Sequence, residues 1–169
     1  SEGYIKPDLD TLIIYELHVD DFSAIGNGAG TFQHVLEKLN YLKNLGINAI
    51  ELMPISEFPG IHSWGYDPQI ISAINGNYGT PTQFKYFVDQ CHANGIAVII
   101  DIIWNHIRSS SPLWKMQPDY NLNPYIKHHE EMNQNEAPGS WGMLDIDHFN
   151  SYTIEYINKV HRMWVDEYK

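Results

Sequence analysis

The feature that most constrains the fold is a short, continuously apolar run near the middle of the chain. Residues 95–100 (GIAVII) are rich in β-branched side chains, and the polar cluster DIIWNH follows directly at residues 101–106. A run without polar alternation predicts a parallel strand that is covered on both faces. Because parallel sheets carry their sites at the carboxyl ends of the strands, this cluster indicates a functional site there.

Strand-like apolar runs alternate with amphipathic helical patterns along the chain. Further strands are predicted at residues 12–19 and 47–53, and helices are predicted to begin at Thr31 and Thr80, with a final helix over residues 151–169. The sequence TPTQ that opens at Thr80 is typical of a capping box with proline at the first helical position. This alternation predicts parallel strands joined by right-handed crossovers, in either a barrel or a doubly wound sheet.

The predicted connections differ in length on the two sides of the sheet. Helices return to strands through minimal turns at Gly46 and Gly95, whereas long segments follow the strands at residues 20–30, 54–79 and 107–150. This asymmetry is typical of a barrel whose functional loops lie on one face. We therefore predict an α/β fold, the amino-terminal portion of a (β/α)8 TIM barrel. Its predicted order is strand, helix, strand, helix, strand, long excursion and helix, which leaves the barrel incomplete.

The same pattern predicts four segments. Residues 1–10 are expected to be a linker from a preceding segment, and residues 11–106 form the first part of the barrel. Residues 107–150 show no sustained periodicity of apolar side chains. They are predicted to be an excursion after the third strand, comparable to a small inserted domain. Residues 151–169 are predicted to be the third barrel helix.

Charge and cysteine content narrow the class of partner. A formal net charge of -11 argues against nucleic acid, which proteins bind through clustered Lys and Arg. No segment is long and apolar enough to cross a membrane, and the localisation stays open. Cys91 is the one cysteine in the sequence, which excludes an internal disulfide. Its helical spacing with Phe84, Phe87 and Val88 predicts a buried, inert thiol.

Aromatic side chains make up 13% of the residues, and several tryptophans lie in predicted loops. Exposed aromatic rings beside polar groups suit sugar rings, because the C–H faces of a sugar stack on them. The alternative is that a tryptophan anchors its loop to the body of the protein. We favour that alternative for Trp114 and Trp141, and leave it open for Trp64 and Trp104.

Five segments of the chain resemble the α-amylase family of glycoside hydrolases. They are IYELHV at 14–19, LNYLKNLGI at 39–47, LMPI at 52–55, WGYDP at 64–68 and DIIWNH at 101–106. Their order and their positions on the predicted elements make the resemblance specific. The amino-acid sequences of the first and fourth segments are most similar to those of branching enzymes, trehalose-releasing hydrolases and pullulanase-type debranching enzymes.

The resemblance implies roles for individual residues, position by position. Asp101 matches an acid that orders the sugar-binding site, His106 matches a histidine that hydrogen-bonds the glucose at the cleavage subsite, and Tyr66 matches a tyrosine that stacks on that glucose. Trp64, in the same motif, is expected to bind substrate too. Asn105 is also placed in the substrate site and matches an asparagine that holds a structural calcium in many α-amylases. We predict no cofactor and no metal site, with calcium as the alternative.

Several residues keep a second interpretation. Asp101 could cap the following loop and His106 could be a core histidine, although the flanking motifs favour binding roles. For the polar residues after the first strand, a binding role and a merely solvated loop are equally supported: these are His18, Asp20 and Asp21. The stretch from His128 to Glu131 is expected to be solvated rather than metal-binding.

The resemblance implies an enzyme that acts on α-linked glucans with retention, by hydrolysis or by transfer to form or remove branches. Retaining enzymes need two carboxyl groups across the scissile bond. The resemblance places these groups on strands after the third, so we expect no catalytic residue in this chain and no activity from it alone. The partners are an α-glucan and the remainder of the polypeptide. The alternatives are a catalytically inactive amylase-like module and an unrelated barrel with a metal site at Asp101, Asn105 and His106.

Overall fold

A computed structural model describes residues 3–26, 28–128 and 143–168, and they form two compact units. The first, called the sheet unit, holds the described residues of 1–55, 74–101 and 166–169, and the second, called the loop unit, holds those of 56–73 and 102–165. The strands along the chain are β1 (Ile14–Leu17), β2 (Ala49–Leu52), β3 (Ser56–Glu57), β4 (Ile70–Ile74), β5 (Ala97–Ile100), β6 (His106–Arg108) and β7 (Met143–Asp145). The helices are α1 (Val19–Ser23), α2 (Phe32–Glu37), α3 (Leu39–Asn44), α4 (Pro81–Ala93), α5 (Pro112–Lys115) and α6 (Ser151–Glu167).

A parallel sheet with the strand order β1-β2-β5 is the centre of the sheet unit. The register places Leu17 beside Leu52 and Leu52 beside Ile100, so all three strands end at the same level. Strand β2 lies in the middle and its alanine, isoleucine and leucine are buried. The three strands and their parallel direction match the prediction, and with the helices between them they are consistent with part of a TIM barrel.

Aromatic side chains form the core between the helices of the sheet unit. The ring of Phe32 lies 4.8 Å from that of Phe84 and 5.6 Å from that of Phe87, centre to centre, and all three side chains are fully buried. Cys91 packs on the same face of α4, and its burial raises the pKa of the thiol to about 12. The predicted burial is thus confirmed, and the raised pKa agrees with an inert thiol, since a nucleophilic cysteine needs a lowered pKa.

The helix predicted from Thr31 onward is divided in the structure. Helix α2 ends at Glu37 and α3 begins at Leu39, with Lys38 between them at φ -100° and ψ 7°. The amide of Lys38 donates to the carbonyl of Val35, as in a tight turn. The ammonium group of Lys38 donates to the carbonyl of Phe22 and lies over the phenyl ring of the same residue. The apolar periodicity continues through the break, so the sequence pattern does not reveal it.

The loop unit contains short elements that the sequence analysis treated as irregular. Strands β3 and β4 form a two-stranded sheet within the predicted loop 54–79, and β6 and β7 pair antiparallel within the predicted excursion. These strands are mostly two or three residues long, too short for a period to be visible in the sequence. The predicted four-segment division stays a prediction.

None of the helices in the described part of the chain combines the length and the apolar character that a bilayer crossing requires.

Candidate functional site

A loop between β3 and β4 carries the two aromatic residues predicted to bind substrate. We call residues 63–68 the aromatic loop; it contains Trp64 and Tyr66. Trp64 is 68% exposed, whereas Tyr66 is partly buried. An exposed indole of this size is able to stack on a flat apolar ligand face.

Strand β6 holds the aromatic loop in place through its backbone and side chains. The Nε2 atom of His106 donates to the carbonyl of Tyr66 at 2.7 Å, and the amide of Arg108 donates to the carbonyl of Pro68 at 2.9 Å. His106 and Arg108 are two residues apart on a strand, so their side chains lie on the same face. The order of the loop therefore depends on β6.

His106 has partners inside the chain on both sides of its ring. Because a carbonyl oxygen only accepts, Nε2 carries the hydrogen that points to Tyr66. The Nδ1 atom accepts from the side-chain amide of Asn105 at 2.7 Å. The structure thus brings Tyr66, Asn105 and His106 into direct contact and adds Trp64 on the same loop. A sugar hydroxyl that reached Nδ1 would share this atom with Asn105.

Asp101 lies in the sheet unit, immediately after β5. Its amide donates to the carbonyl of Leu52 at 3.1 Å, which continues the ladder between β2 and β5 by one residue. The side chain is partly exposed at the carboxyl end of the strand. His18 occupies the corresponding position after β1. Asp101 therefore has the placement predicted for it, while its role in binding stays a prediction.

The polar residues after β1 have structural contacts that the sequence analysis did not anticipate. Asp20 is 7% exposed and its carboxylate accepts from the amide of Gly30 at 2.7 Å, so the interpretation of a solvated acid is wrong for this residue. The Nδ1 atom of His18 accepts from the amide of Asp21 at 3.2 Å, which caps helix α1, and its Nε2 atom lies 3.1 Å from the hydroxyl of the buried Tyr78. These contacts fix the loop after β1.

The other loop tryptophans differ from Trp64 in their surroundings. Trp104 donates through its indole N–H to His161 at 2.8 Å and packs edge-on against Tyr156, so it anchors its segment to helix α6. The ring of Trp114 lies 4.6 Å from that of Tyr120, in agreement with an anchoring role. Trp141 lies outside the described residues.

The donor set for calcium is not assembled by the residues that the structure describes. A hard cation needs about six to eight oxygen ligands, and within residues 3–26, 28–128 and 143–168 no three His, Cys, Asp or Glu side chains cluster as ligands. Asp119 and Asp147 accept backbone amides in their own turns, and Asp145 pairs with Lys127. Asn105 contacts His106 instead. The expectation of no metal site, with calcium as the alternative, stays a prediction.

The stretch predicted to be solvated is described in part. His128 is exposed, as expected, while the other three residues from His129 to Glu131 lie outside the described part of the chain.

Two charged residues of this site were missed by the sequence analysis. Asp67 and Arg108 form an ion pair with 2.8 Å between Nη2 and Oδ2, and it links the aromatic loop to β6. A signal was available for Asp67, which is part of the WGYDP motif. None was available for Arg108, because the strand that aligns it with His106 is too short to predict.

Known proteins resemble this chain along nearly its whole length. A family model for the catalytic domain of α-amylase matches residues 18–164. A malto-oligosyltrehalose trehalohydrolase from Rhizobium sp. is 35% identical and is matched over 99% of this chain and 26% of its own. The 1,4-α-glucan branching enzyme GlgB of Halothermothrix orenii is 31% identical over 98% of this chain and 25% of its own.

A solved structure shows the same fold. A Salmonella typhimurium protein assigned as an α-amylase superposes with a TM-score of 0.82 and 32% identity, over 99% of this chain and 26% of that protein. The chain thus spans about a quarter of the length of the relatives it matches. Because the family model covers most of its residues and the motifs lie on the expected elements, the chain belongs to the α-amylase catalytic-domain family.

Proposed function

We propose that this chain supplies part of the sugar-binding site of an α-glucan-active glycoside hydrolase or transglycosylase. The observation that carries the proposal is the aromatic loop of an α-amylase-family chain, in which Trp64 is exposed and the backbone of Tyr66 is hydrogen-bonded to His106 of β6. A rigid aromatic surface binds the C–H face of glucose with little loss of side-chain freedom. The trehalohydrolase and branching-enzyme relatives support an α-linked glucan as the substrate class.

Each proposed site residue has chemistry that suits a sugar. The Asp101 carboxylate accepts charge-assisted hydrogen bonds from neighbouring hydroxyls. Tyr66 and Trp64 offer apolar faces that orient the ring. His106 binds the backbone carbonyl of Tyr66, and Asn105 in turn binds the other ring nitrogen of His106.

The reaction itself requires groups that we do not assign to the described residues. A retaining mechanism uses one carboxylate as nucleophile and a second carboxyl as acid and base. We propose that the remainder of the polypeptide supplies both, and that the residues of this chain bind and orient the glucan. The choice between hydrolysis and transfer then depends on how well water is excluded from the covalent intermediate.

Activity of the full-length protein tests the proposal. The protein is incubated with amylose and with malto-oligosyltrehalose. The reaction is followed by iodine staining, by counting of reducing ends and by measurement of released trehalose. Loss of iodine colour with new reducing ends indicates hydrolysis, an altered colour without them indicates branching, and free trehalose indicates a trehalohydrolase. Binding without turnover would support the alternative of an inactive binding module. The absence of both binding and turnover would contradict the proposal.

Substitution of the aromatic residues tests the site. We expect Trp64→Ala and Tyr66→Ala to raise KM for a maltooligosaccharide roughly fivefold each, which corresponds to a lost stacking contact of about 1 kcal/mol. The matched control is Tyr86→Ala, because Tyr86 is 52% exposed on α4 in the sheet unit. Unchanged KM values in both site variants would show that the aromatic loop does not bind the glucan.

A further inference from the structure

The ion pair between Asp67 and Arg108 is partly buried, and its carboxylate is the more enclosed of the two groups. Both Nε and Nη2 of Arg108 donate to Oδ2 of Asp67, at 3.1 and 2.8 Å. The side chain of Asp67 is 13% exposed and that of Arg108 is 35% exposed. Fully exposed pairs contribute little, whereas loss of one partner from a desolvated pair leaves the other charge uncompensated.

The second carboxylate oxygen of Asp67 extends the network into the aromatic loop. Oδ1 accepts from the hydroxyl of Ser63, and the oxygen of that hydroxyl accepts from the amide of Gly65 at 3.0 Å. Gly65 has φ +88°, a left-handed conformation that favours glycine. Asp67 therefore connects Arg108 to the residues on both sides of Trp64.

We infer that Asp67 and Arg108 are positioning residues that set the affinity of the aromatic loop for its ligand, an inference that rests on the proposed function. Together with the bonds from His106 to Tyr66 and from Arg108 to Pro68, they hold the loop at several points along its length. Neither charged group needs to touch the sugar, because its effect passes through the orientation of Trp64 and Tyr66.

Loss of this network changes binding more than chemistry. Without it the loop samples more conformations, and the sugar must order the loop when it binds. That cost lowers the affinity for substrate and transition state alike, so KM rises while kcat is retained. A group that acted in the chemical step would instead lower kcat.

The test uses the full-length protein and three variants of the pair. We expect Arg108→Gln and Asp67→Asn to raise KM for a maltooligosaccharide by roughly tenfold, with kcat within about twofold, as for a displaced positioning group. Arg108→Lys keeps the charge but loses the forked geometry, so an intermediate KM is expected. The matched control is Lys85→Gln, which breaks the exposed 2.9 Å pair between Lys85 and Glu167 in the sheet unit.

A second readout follows Trp64 without any sugar. The protein is labelled with 5-fluorotryptophan, and the fluorine NMR signal of Trp64 is assigned with Trp64→Phe. We expect this signal to shift or broaden in Arg108→Gln and Asp67→Asn and to stay unchanged in Lys85→Gln. Unchanged signals of Trp104 and Trp114 show that the variants remain folded.

The outcomes separate the two proposals. The positioning role would be overturned if, in the absence of sugar, the Trp64 signal were unchanged in both Arg108→Gln and Asp67→Asn. An unchanged KM in these variants, or a loss confined to kcat, would overturn it too. If the wild-type Trp64 signal does not respond to maltooligosaccharide at concentrations that saturate turnover, the proposed binding site fails. In that case the sugar-free spectra still decide whether the pair orders the loop.

Discussion

At the scale of single residues, Gly30 shows how closely the loop after β1 is packed. A Cβ atom at this position would lie 2.4 Å from the hydroxyl oxygen of Ser23 and from the carbonyl oxygen of Val19. Its amide is bound by the buried carboxylate of Asp20. Backbone atoms cannot withdraw as a flexible side chain does, so the site accepts no larger residue without rearrangement.

We expect Gly30→Ala to destabilise the protein by about 1–3 kcal/mol, because overpacking forces the backbone apart. Urea unfolding of the full-length protein measures the change. Gly76→Ala is the matched control, since a Cβ there would have nothing within 4 Å. Equal unfolding midpoints for the two variants would contradict the expectation.

At the scale of elements, helix α4 follows its local sequence closely. The side chain of Thr80 accepts from the amide of Gln83 at 3.2 Å, the side chain of Gln83 accepts from the amide of Thr80 at 2.8 Å, and Pro81 opens the helix. The predicted capping box is thus confirmed. Its groups are neighbours in sequence, so no distant part of the fold is needed to bring them together.

Removal of this cap should weaken the helix without touching the site. We expect Thr80→Ala to lower the free energy of unfolding by about 1 kcal/mol. Thr82→Ala, two residues further on and also exposed, serves as the control because Thr82 makes no contact in the box. Thermal unfolding followed by circular dichroism compares the two, and a control that loses as much stability would show that the cap is not responsible.

At the scale of the whole molecule, the outer strands of the parallel sheet are incompletely covered. Within the described residues β1 and β5 each pair with β2 alone, all four residues of β5 are half-buried, and Ile14 in β1 is 48% exposed. Exposed strand edges favour association with other strands. A complete barrel would pair both edges and fill the inner face.

We therefore expect residues 1–169, expressed alone, to unfold with low cooperativity and to leave amylose uncleaved. Calorimetry and reducing-end counting test this, with the full-length protein as the reference. A sharp transition together with amylose turnover by the isolated segment would contradict the expectation.

Features that depend on neighbouring residues could be predicted from the sequence. Periodicity predicted the three parallel strands and the main helices, the capping box predicted the start of α4, and the motifs around Trp64 and Asp101 predicted the family. These signals are readable because an apolar repeat or a cap acts over a few residues.

Contacts between distant segments became visible in the folded structure and had no signal in the sequence. The break at Lys38 depends on Phe22, the burial of Asp20 depends on Gly30, and the pairing of Asp67 with Arg108 joins residues far apart in the chain. No local pattern records such partners, because each bond forms only after the backbone has brought the two segments together. The motifs that carry the proposed site residues were therefore readable in the sequence, whereas the network that holds the aromatic loop was not.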